Sequence, residues 1–330
     1  MKNKITSITD QPIRNVESDL LESQKYATAL STFVLESDTP LTIGMQGEWG
    51  TGKTSLMYMI MEKLDGFAKE EDYAIATSWV NTWEYSMFKG VDQTTPAVLK
   101  GMLEKLKESC GDNWTLTDDV ENKIKKVGSF LGNVANQIVS SQTGVDVKDA
   151  AGAKSGKIIA DIAEIKADIK DVISDLISDE KNPYKKVVFF IDDLDRINPT
   201  DAVEVLESLK NIFDINNCIF ILAIDYDVVV KGLEDKFGKK TDENEREFRS
   251  FFDKIIQVPF SMPTGAYNIE NFLDKKLHDL GIIIDKDILP KYVKVVSNTV
   301  GFNPRSLKRY LNSFSLLRKI SEISDEGEID

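Results

Sequence analysis

Residues Gly47–Ser55, with the sequence GEWGTGKTS, directly follow the apolar run Leu41–Gln46. Positions 47–54 match the pattern G-x-x-x-x-G-K-[ST], in which glycines let successive backbone N–H groups point into one concavity. Ser55–Leu64 form a plausible helix after the loop, and the N-terminus of a helix adds a positive end. A glycine-rich turn that carries Gly-Lys-Thr by chance is the alternative. The strand before the loop and the helix after it favour a phosphate-binding loop.

The residue types in this loop predict how it holds a nucleotide. Lys53 is expected to reach the β- and γ-phosphates, and the Thr54 hydroxyl is expected to bind Mg²⁺. ATP and Mg²⁺ are therefore the expected ligand and cofactor. The predicted nucleotide-binding residues are Gly47, Glu48, Trp49, Gly50, Thr51, Gly52, Lys53, Thr54 and Ser55.

A second apolar run ends in two carboxylates. Val187–Ile191 is typical of a buried parallel strand, and Asp192 and Asp193 follow it at the end where parallel sheets bind ligands. We expect Asp192 to hold Mg²⁺ through its water shell and Asp193 to orient or deprotonate the attacking water. A solvated strand end is the alternative. Asp195 and Arg196 are weaker candidates, since either could cap the next helix.

Three further segments complete the predicted sheet. Cys218–Ile224 is apolar throughout and leads into Asp225, which is expected either to sense the γ-phosphate or the attacking water, or to cap the next helix. Trp79–Trp83 is expected to be a strand and its exit, and Lys254–Phe260 a strand that closes the core. Strands separated by helical stretches predict a doubly wound, mostly parallel α/β sheet.

Composition limits the function classes. In 330 residues, 41 basic and 55 acidic side chains leave a net charge of −14, so a nucleic-acid or membrane partner requires a local basic patch. One histidine, His278, cannot build a zinc site or a Ser-His-Asp triad. Cys110 and Cys218 lie far apart, which indicates a reducing compartment. The first residues lack the apolar stretch of a signal peptide, so a cytoplasmic location is expected.

The interval between Lys53 and Asp192 is far longer than one or two βα units need. Within it, Val127–Val145 is the longest uncharged run, but its Asn, Gln and Ser side chains would need partners in lipid, so no membrane span is expected. Residues 144–156 have the composition of a flexible linker. Residues 153–179 predict a helix whose apolar seam packs either on its own domain or on a partner; the seam is Ile158, Ile162, Ile165, Ile169, Val172 and Leu176.

The C-terminal part differs in charge from the whole chain. Residues 288–321 contain seven basic residues and no acidic residue: Lys291, Lys294, Arg305, Lys308, Arg309, Arg318 and Lys319. A helical lid with an arginine facing nucleotide explains this more simply than a nucleic-acid patch does. The predicted domains are a P-loop core over 1–262, with a largely helical insertion at about 100–182, and a helical lid over 263–330.

Five motifs together make the chain resemble the KAP family of P-loop NTPases, a branch of the additional-strand P-loop ATPases related to the signalling STAND group. They are GEWGTGKTS at 47–55, NTWEYSMF at 81–88, VVFFIDDLDR at 187–196, KIIQVPF at 254–260 and GFNPRSLKRYLNSF at 301–314. The resemblance implies that Arg305 is a sensor arginine. Many members carry transmembrane helices between the phosphate-binding motif and the acidic motif, whereas this chain has a long insertion there that looks soluble.

The resemblance also implies a function. We expect a slow, Mg²⁺-dependent ATPase that acts as a nucleotide-dependent switch or assembly module, with a protein partner or a second copy of the chain. The resemblance connects bacterial members with plasmid or phage exclusion and defence. The alternative is a nucleic-acid-associated motor or loader that uses the basic lid. Asp193, Lys53, Arg305 and Asp225 are the predicted catalytic residues, and Thr54 and Asp192 the predicted metal-binding residues.

Overall fold

The computed structural model describes residues 6–67, 74–86, 94–110, 166–178, 184–210, 212 and 214–326. The chain forms two compact units. The loop unit consists of Met1–Thr32, Gly47–Lys63 and Ser261–Asp330, and the sheet unit consists of Phe33–Gln46 and Leu64–Phe260. The loop predicted to bind phosphate therefore groups with the C-terminal segment. The domain boundary at residue 262 stays a prediction.

Five strands form the sheet, in the order β2-β3-β4-β1-β5. Their bounds are β1 Leu41–Gln46, β2 Ala74–Asn81, β3 Tyr184–Asp192, β4 Cys218–Ile224 and β5 Val258–Ser261. The pairs β1 with β4, β4 with β3, and β3 with β2 are all parallel. The predicted mostly parallel α/β fold is confirmed. Strand β4 lies between the strand that enters the loop and the strand that ends in Asp192.

The central strands are apolar along their length because both faces of the sheet are covered. Every residue of β4 is buried, and β3 is buried from Val187 to Asp192. A strand covered on both faces buries consecutive side chains, so a continuous apolar run replaces the alternating pattern. Across the β3–β4 pair, the rings of Phe189 and Phe220 stack with their centroids 5.3 Å apart.

Helices connect the strands of the sheet unit. They are α3 Thr82–Ser86, α4 Thr94–Cys110, α5 over 166–178, α6 Pro199–Lys210, α7 Tyr226–Phe237 and α8 Glu245–Asp253. Ile169, Val172 and Leu176, three residues of the predicted apolar seam, lie in the sheet-unit core. This part of the insertion therefore packs on its own unit. The seam positions up to Ile165, the predicted linker and the run at 127–145 lie outside the described residues.

The helices of the loop unit surround a smaller core. They are α1 Gln24–Glu36 and α2 Lys53–Phe67, which both begin in this unit, α9 Ile269–Asp279, α10 Leu289–Thr299 and α11 Pro304–Glu326. Leu56, Phe272, Leu273, Leu307 and Leu311 are among its buried side chains. Among the described helices, none has the length and apolar character needed to cross a membrane.

Local hydrogen bonds set two strand boundaries, and the start of β5 differs from the sequence prediction. Strand β2 ends at Asn81, because its side-chain oxygen accepts hydrogen bonds from the backbone N–H groups of Trp83 and Glu84 and starts α3. Strand β5 begins at Val258, four residues after the predicted start at Lys254. The N–H groups of Ile255 and Ile256 both donate to the Phe252 carbonyl and continue the turn of α8.

Candidate nucleotide-binding site

The loop adopts the backbone conformation that its glycines allow. Gly50 and Gly52 have φ angles of 89° and 98°, a region that residues with a side chain rarely adopt. The backbone N–H and the hydroxyl of Thr51 both donate to the Glu48 carbonyl, at 3.3 and 2.8 Å. The glycines therefore close a tight turn immediately before α2, as the sequence predicts.

Lys53 lies across the loop that precedes it. Its side chain is almost fully buried, and its Nζ donates to the carbonyl oxygens of Gly47, at 2.6 Å, and Glu48, at 3.2 Å. Thr54 follows in the first turn of α2. The Ser55 hydroxyl accepts a hydrogen bond from the Ile13 backbone at 3.2 Å. The loop thus holds a buried ammonium group beside a helix N-terminus.

The start of α11 contacts the loop directly. The Asn303 amide donates to the Trp49 carbonyl at 3.0 Å, and the Arg305 backbone N–H lies 3.4 Å from the Gly50 carbonyl. The Arg305 guanidinium lies 4.0 Å from the centroid of the Trp49 ring. A Cβ on Gly50 would lie 2.6 Å from the Arg305 Cβ, so only glycine fits this approach. Arg305 and the loop are brought together, although about 250 residues separate them.

Tyr267 supports the loop from another direction. Its hydroxyl donates to the Thr51 carbonyl at 2.8 Å. Burial raises the pKa of Tyr267 well above its ordinary value, and the nearby Asp19 carboxylate acts in the same direction. The phenol therefore stays protonated and remains a donor at neutral pH.

A cavity of about 410 Å³ adjoins the loop within the loop unit. It is lined by the N-terminal segment, the loop and the C-terminal helices, including Ile8, Gln11, Gly52, Ser55, Tyr267 and Lys308. Burial lowers the pKa of Lys308, the cations of Lys276 and Arg305 act in the same direction, and the Asp10 carboxylate opposes them. The lining of the cavity carries the carboxylates of Asp19 and Asp279 as well as the ammonium groups of Lys276 and Lys308, so its volume, and not a net charge, is what suits a small ligand.

The two predicted carboxylates lie in the sheet unit at the carboxyl end of β3. Asp192 is buried, and one of its carboxylate oxygens accepts a hydrogen bond from the Asp193 N–H at 2.9 Å. Its backbone carbonyl accepts from the Thr82 hydroxyl at 2.8 Å. Asp193 has a φ of 60°, which turns the chain sharply at the strand end.

Both oxygens of Asp193 have partners in the structure. Oδ1 lies 2.7 Å from the Arg196 Nε, and Oδ2 accepts from the Asn81 amide at 2.9 Å. The Arg196 guanidinium in turn lies 5.4 Å from the centroid of the Trp83 ring. These contacts fix the orientation of the Asp193 carboxylate.

Asp225 follows β4, the neighbour of β3. Its carboxylate accepts a hydrogen bond from the Asp227 N–H at 3.1 Å and caps α7. The sequence left two roles open for Asp225, a sensor and a helix cap. The hydrogen bond to Asp227 supports the role as a helix cap. The sensor role stays a prediction.

The chain matches the model of the KAP family P-loop domain over residues 23–321. It belongs to this family. A curated relative of the KAP-family chain, the phage T7 exclusion protein of Escherichia coli strain K12, is 22% identical over 322 residues. The match covers 89% of this chain and 40% of that protein, so the chain spans less than half of the relative's length.

Two solved structures show overall similarity to the KAP-family chain. The Aeropyrum pernix ORC2 protein is 13% identical, with a TM-score of 0.46 over 93% of this chain and 65% of that one. The C. elegans protein PCH-2 is 13% identical, with a TM-score of 0.34 over 91% of this chain and 69% of that one.

The residues of the loop unit fit the nucleotide that a P-loop family binds. The loop offers backbone N–H groups and a buried ammonium, and a cavity of about 410 Å³ adjoins it. The carboxylates Asp192 and Asp193 are the type of oxygen ligand that Mg²⁺ and its water shell accept.

Four contributing residues were not singled out from the sequence. They are Asn81, Tyr267, Asn303 and Asp10, and each acts through a partner distant along the chain. For Asn81 a signal was present: it ends a predicted strand, as Asp192 does, and the two residues are register partners in the β2–β3 pair. For the other three the local sequence gives no comparable signal.

We expect Tyr267→Phe to lower the free energy of unfolding by about 1–3 kcal/mol, because it leaves the buried Thr51 carbonyl without this donor. Chemical denaturation measures the change. Tyr310→Phe is a matched control, because it also removes a phenol hydroxyl, which accepts a hydrogen bond from Tyr292 at a half-buried position. It should lower the free energy of unfolding by less than Tyr267→Phe does. Equal unfolding curves for wild type and Tyr267→Phe would show that the hydroxyl does not stabilise the loop.

Proposed function

We propose that this KAP-family domain binds Mg-ATP at the loop of residues 47–55, hydrolyses it slowly, and acts as a nucleotide-dependent switch or assembly module. The observation that carries the proposal is the packing of Arg305 against Trp49 within the loop unit. An arginine on the loop can form charge-assisted hydrogen bonds with phosphate oxygens. It can therefore distinguish a nucleoside triphosphate from a diphosphate.

We assign several of the predicted site residues a role in binding or hydrolysis of ATP. Lys53 binds the β- and γ-phosphates, Thr54 and Asp192 hold Mg²⁺, and Arg305 binds the γ-phosphate. When bound there, Mg²⁺ would neutralise charge that develops on the phosphate oxygens. Asp193 accepts a proton from the water whose oxygen bonds to the γ-phosphorus, while the bond to the ADP oxygen breaks. Asn81 and Arg196 orient the Asp193 carboxylate for that transfer.

The similarity to the phage T7 exclusion protein supports a role in exclusion of phage or plasmids. At 22% identity, and with 40% of the relative covered, that role is part of the proposal. The partner is a protein or a second copy of the chain, which would read the nucleotide state of the loop unit. We also propose a cytoplasmic location, where ATP and Mg²⁺ are available.

The contacts of the basic C-terminal segment count against the nucleic-acid alternative. Four of its seven basic residues form ion pairs with Asp10 or Glu322: Arg305, Lys308, Arg318 and Lys319. Arg309 lies 5.8 Å from the centroid of the Trp49 ring. Lys and Arg side chains bind nucleic acid by neutralising its phosphates and releasing the counterions that are condensed on them. Much of this segment's positive charge is already compensated.

Turnover of Mg-ATP with and without DNA or RNA separates the two functions. A switch should hydrolyse ATP at about 10⁻⁴ to 10⁻² per second and respond little to nucleic acid. A motor should be stimulated strongly, and the stimulation should disappear as salt is raised from about 50 to 200 mM. Strong, salt-sensitive stimulation would overturn the switch in favour of the motor or loader.

Hydrogen exchange tests whether Arg305 converts the nucleotide state into a structural signal. We expect backbone amides in Gly301–Leu311 to exchange more slowly with a non-hydrolysable ATP analogue than with ADP, because Arg305 gains phosphate contacts only in the triphosphate state. Arg305→Ala should abolish the difference. Equal protection in both nucleotides would contradict the switch and leave ATP binding intact.

A further inference from the structure

An N-terminal strap, residues 6–13, runs along one face of α11. The face consists of residues at helical steps of three and four, which lie above one another on successive turns. Three of its side chains bond to the strap backbone: Ser315 to Thr6, Asn312 to Ile8 through two hydrogen bonds, and Lys308 to Gln11. These bonds fix the position of Asp10, which lies between Ile8 and Gln11.

Asp10 contacts the arginine that lies on the loop. Its Oδ2 accepts a hydrogen bond from the Arg305 Nε at 2.5 Å, and its Oδ1 lies 3.9 Å from the Lys308 Nζ. The Trp49 ring lies against the same guanidinium. Arg305 is thus held by a carboxylate at its Nε and by an aromatic ring.

The Nη1 atom of Arg305 is buried and has no hydrogen-bond partner among the described residues. A buried donor without an acceptor is costly, and a charged donor more so than a neutral one. Asp10 bonds to Nε and so leaves the Nη1 donors without an acceptor. The arrangement therefore lacks one acceptor, and a phosphate oxygen is an acceptor that suits a guanidinium.

We propose that Asp10 is a positioning residue, which holds the Nε of Arg305 so that Nη1 binds the γ-phosphate of the nucleoside triphosphate. The inference rests on the proposed function and assigns a role to the N-terminal strap. If Asp10 positions Arg305, removing its charge lowers the affinity for the nucleoside triphosphate. If Asp10 only competed with phosphate for Arg305, removing its charge would raise that affinity. The sign of the Asp10 substitution therefore distinguishes the two roles.

The test is a double-mutant cycle with Asp10→Asn and Arg305→Ala, read by calorimetric titration with a non-hydrolysable ATP analogue and with ADP. Asp10→Asn should weaken binding of the analogue about tenfold and leave binding of ADP unchanged, because only the triphosphate reaches Nη1. In the Arg305→Ala background, Asp10→Asn should have no further effect. Glu17→Gln, which removes an exposed carboxylate near the strap, is the matched control and should bind both nucleotides normally.

Each other result contradicts the inference. Tighter binding of the analogue by Asp10→Asn would show that Asp10 competes with phosphate. An equal loss for the analogue and ADP, or a loss that persists without Arg305, would show a merely structural role. If wild type binds neither nucleotide, the proposed function fails as well, whereas binding by wild type and Asp10→Asn alike overturns only the role of Asp10. Thermal denaturation of each variant, without nucleotide, establishes that it is folded.

Discussion

Asp193→Asn should bind Mg-ATP with nearly the affinity of wild type and hydrolyse it at least about 10²-fold more slowly. The substitution keeps the shape of the side chain and its contact with Asn81, but it removes the charge that can accept a proton. It also removes the ion pair with Arg196, which orients the carboxylate. Release of phosphate from Mg-ATP at saturating concentration measures the effect.

Asp227→Asn is a matched control for this change. Asp227 is exposed in the first turn of α7, so its substitution removes the same charge in the same unit and leaves β3 unchanged. We expect its turnover to equal that of wild type. A normal rate of hydrolysis by Asp193→Asn would show that the carboxylates at the end of β3 were assigned the wrong role.

Lys53→Ala should lower the affinity for Mg-ATP by at least about 10²-fold, because it removes the positive charge that binds the β- and γ-phosphates. The ammonium is buried within the loop and bonded to two loop carbonyls, so other lysines cannot readily replace it. Equilibrium dialysis with labelled nucleotide measures the affinity. Lys63→Ala, near the other end of the same helix, should bind Mg-ATP as wild type does.

The parts of the fold and site that follow from local sequence could be predicted. The loop at 47–55 is defined by the spacing of its glycines and Lys53, and the apolar run before Asp192 indicates a buried strand without any knowledge of its neighbours. The strand order could not be predicted from such patterns. The place of β4 between β1 and β3 depends on how three distant segments pair.

The contacts that complete the site are also long-range. The pairs Tyr267–Thr51 and Arg305–Asp10 join segments that are more than 200 residues apart, and no periodicity reports which side chain will meet which. The start of β5 was misplaced for a local reason. After Phe252, hydrogen bonds to its carbonyl favour a helical turn over the start of a strand, and the apolar pattern does not reveal that competition.

Calorimetric titration of the wild-type chain with Mg-ATP, beside Lys53→Ala at the same protein concentration, tests the central claim most directly. Wild type should show saturable binding at one site per chain. Lys53→Ala should show no measurable heat of binding, and its circular dichroism and thermal unfolding should match those of wild type. Equal binding by the two proteins, or no binding by a folded wild type, would contradict the assignment of residues 47–55 as the nucleotide site.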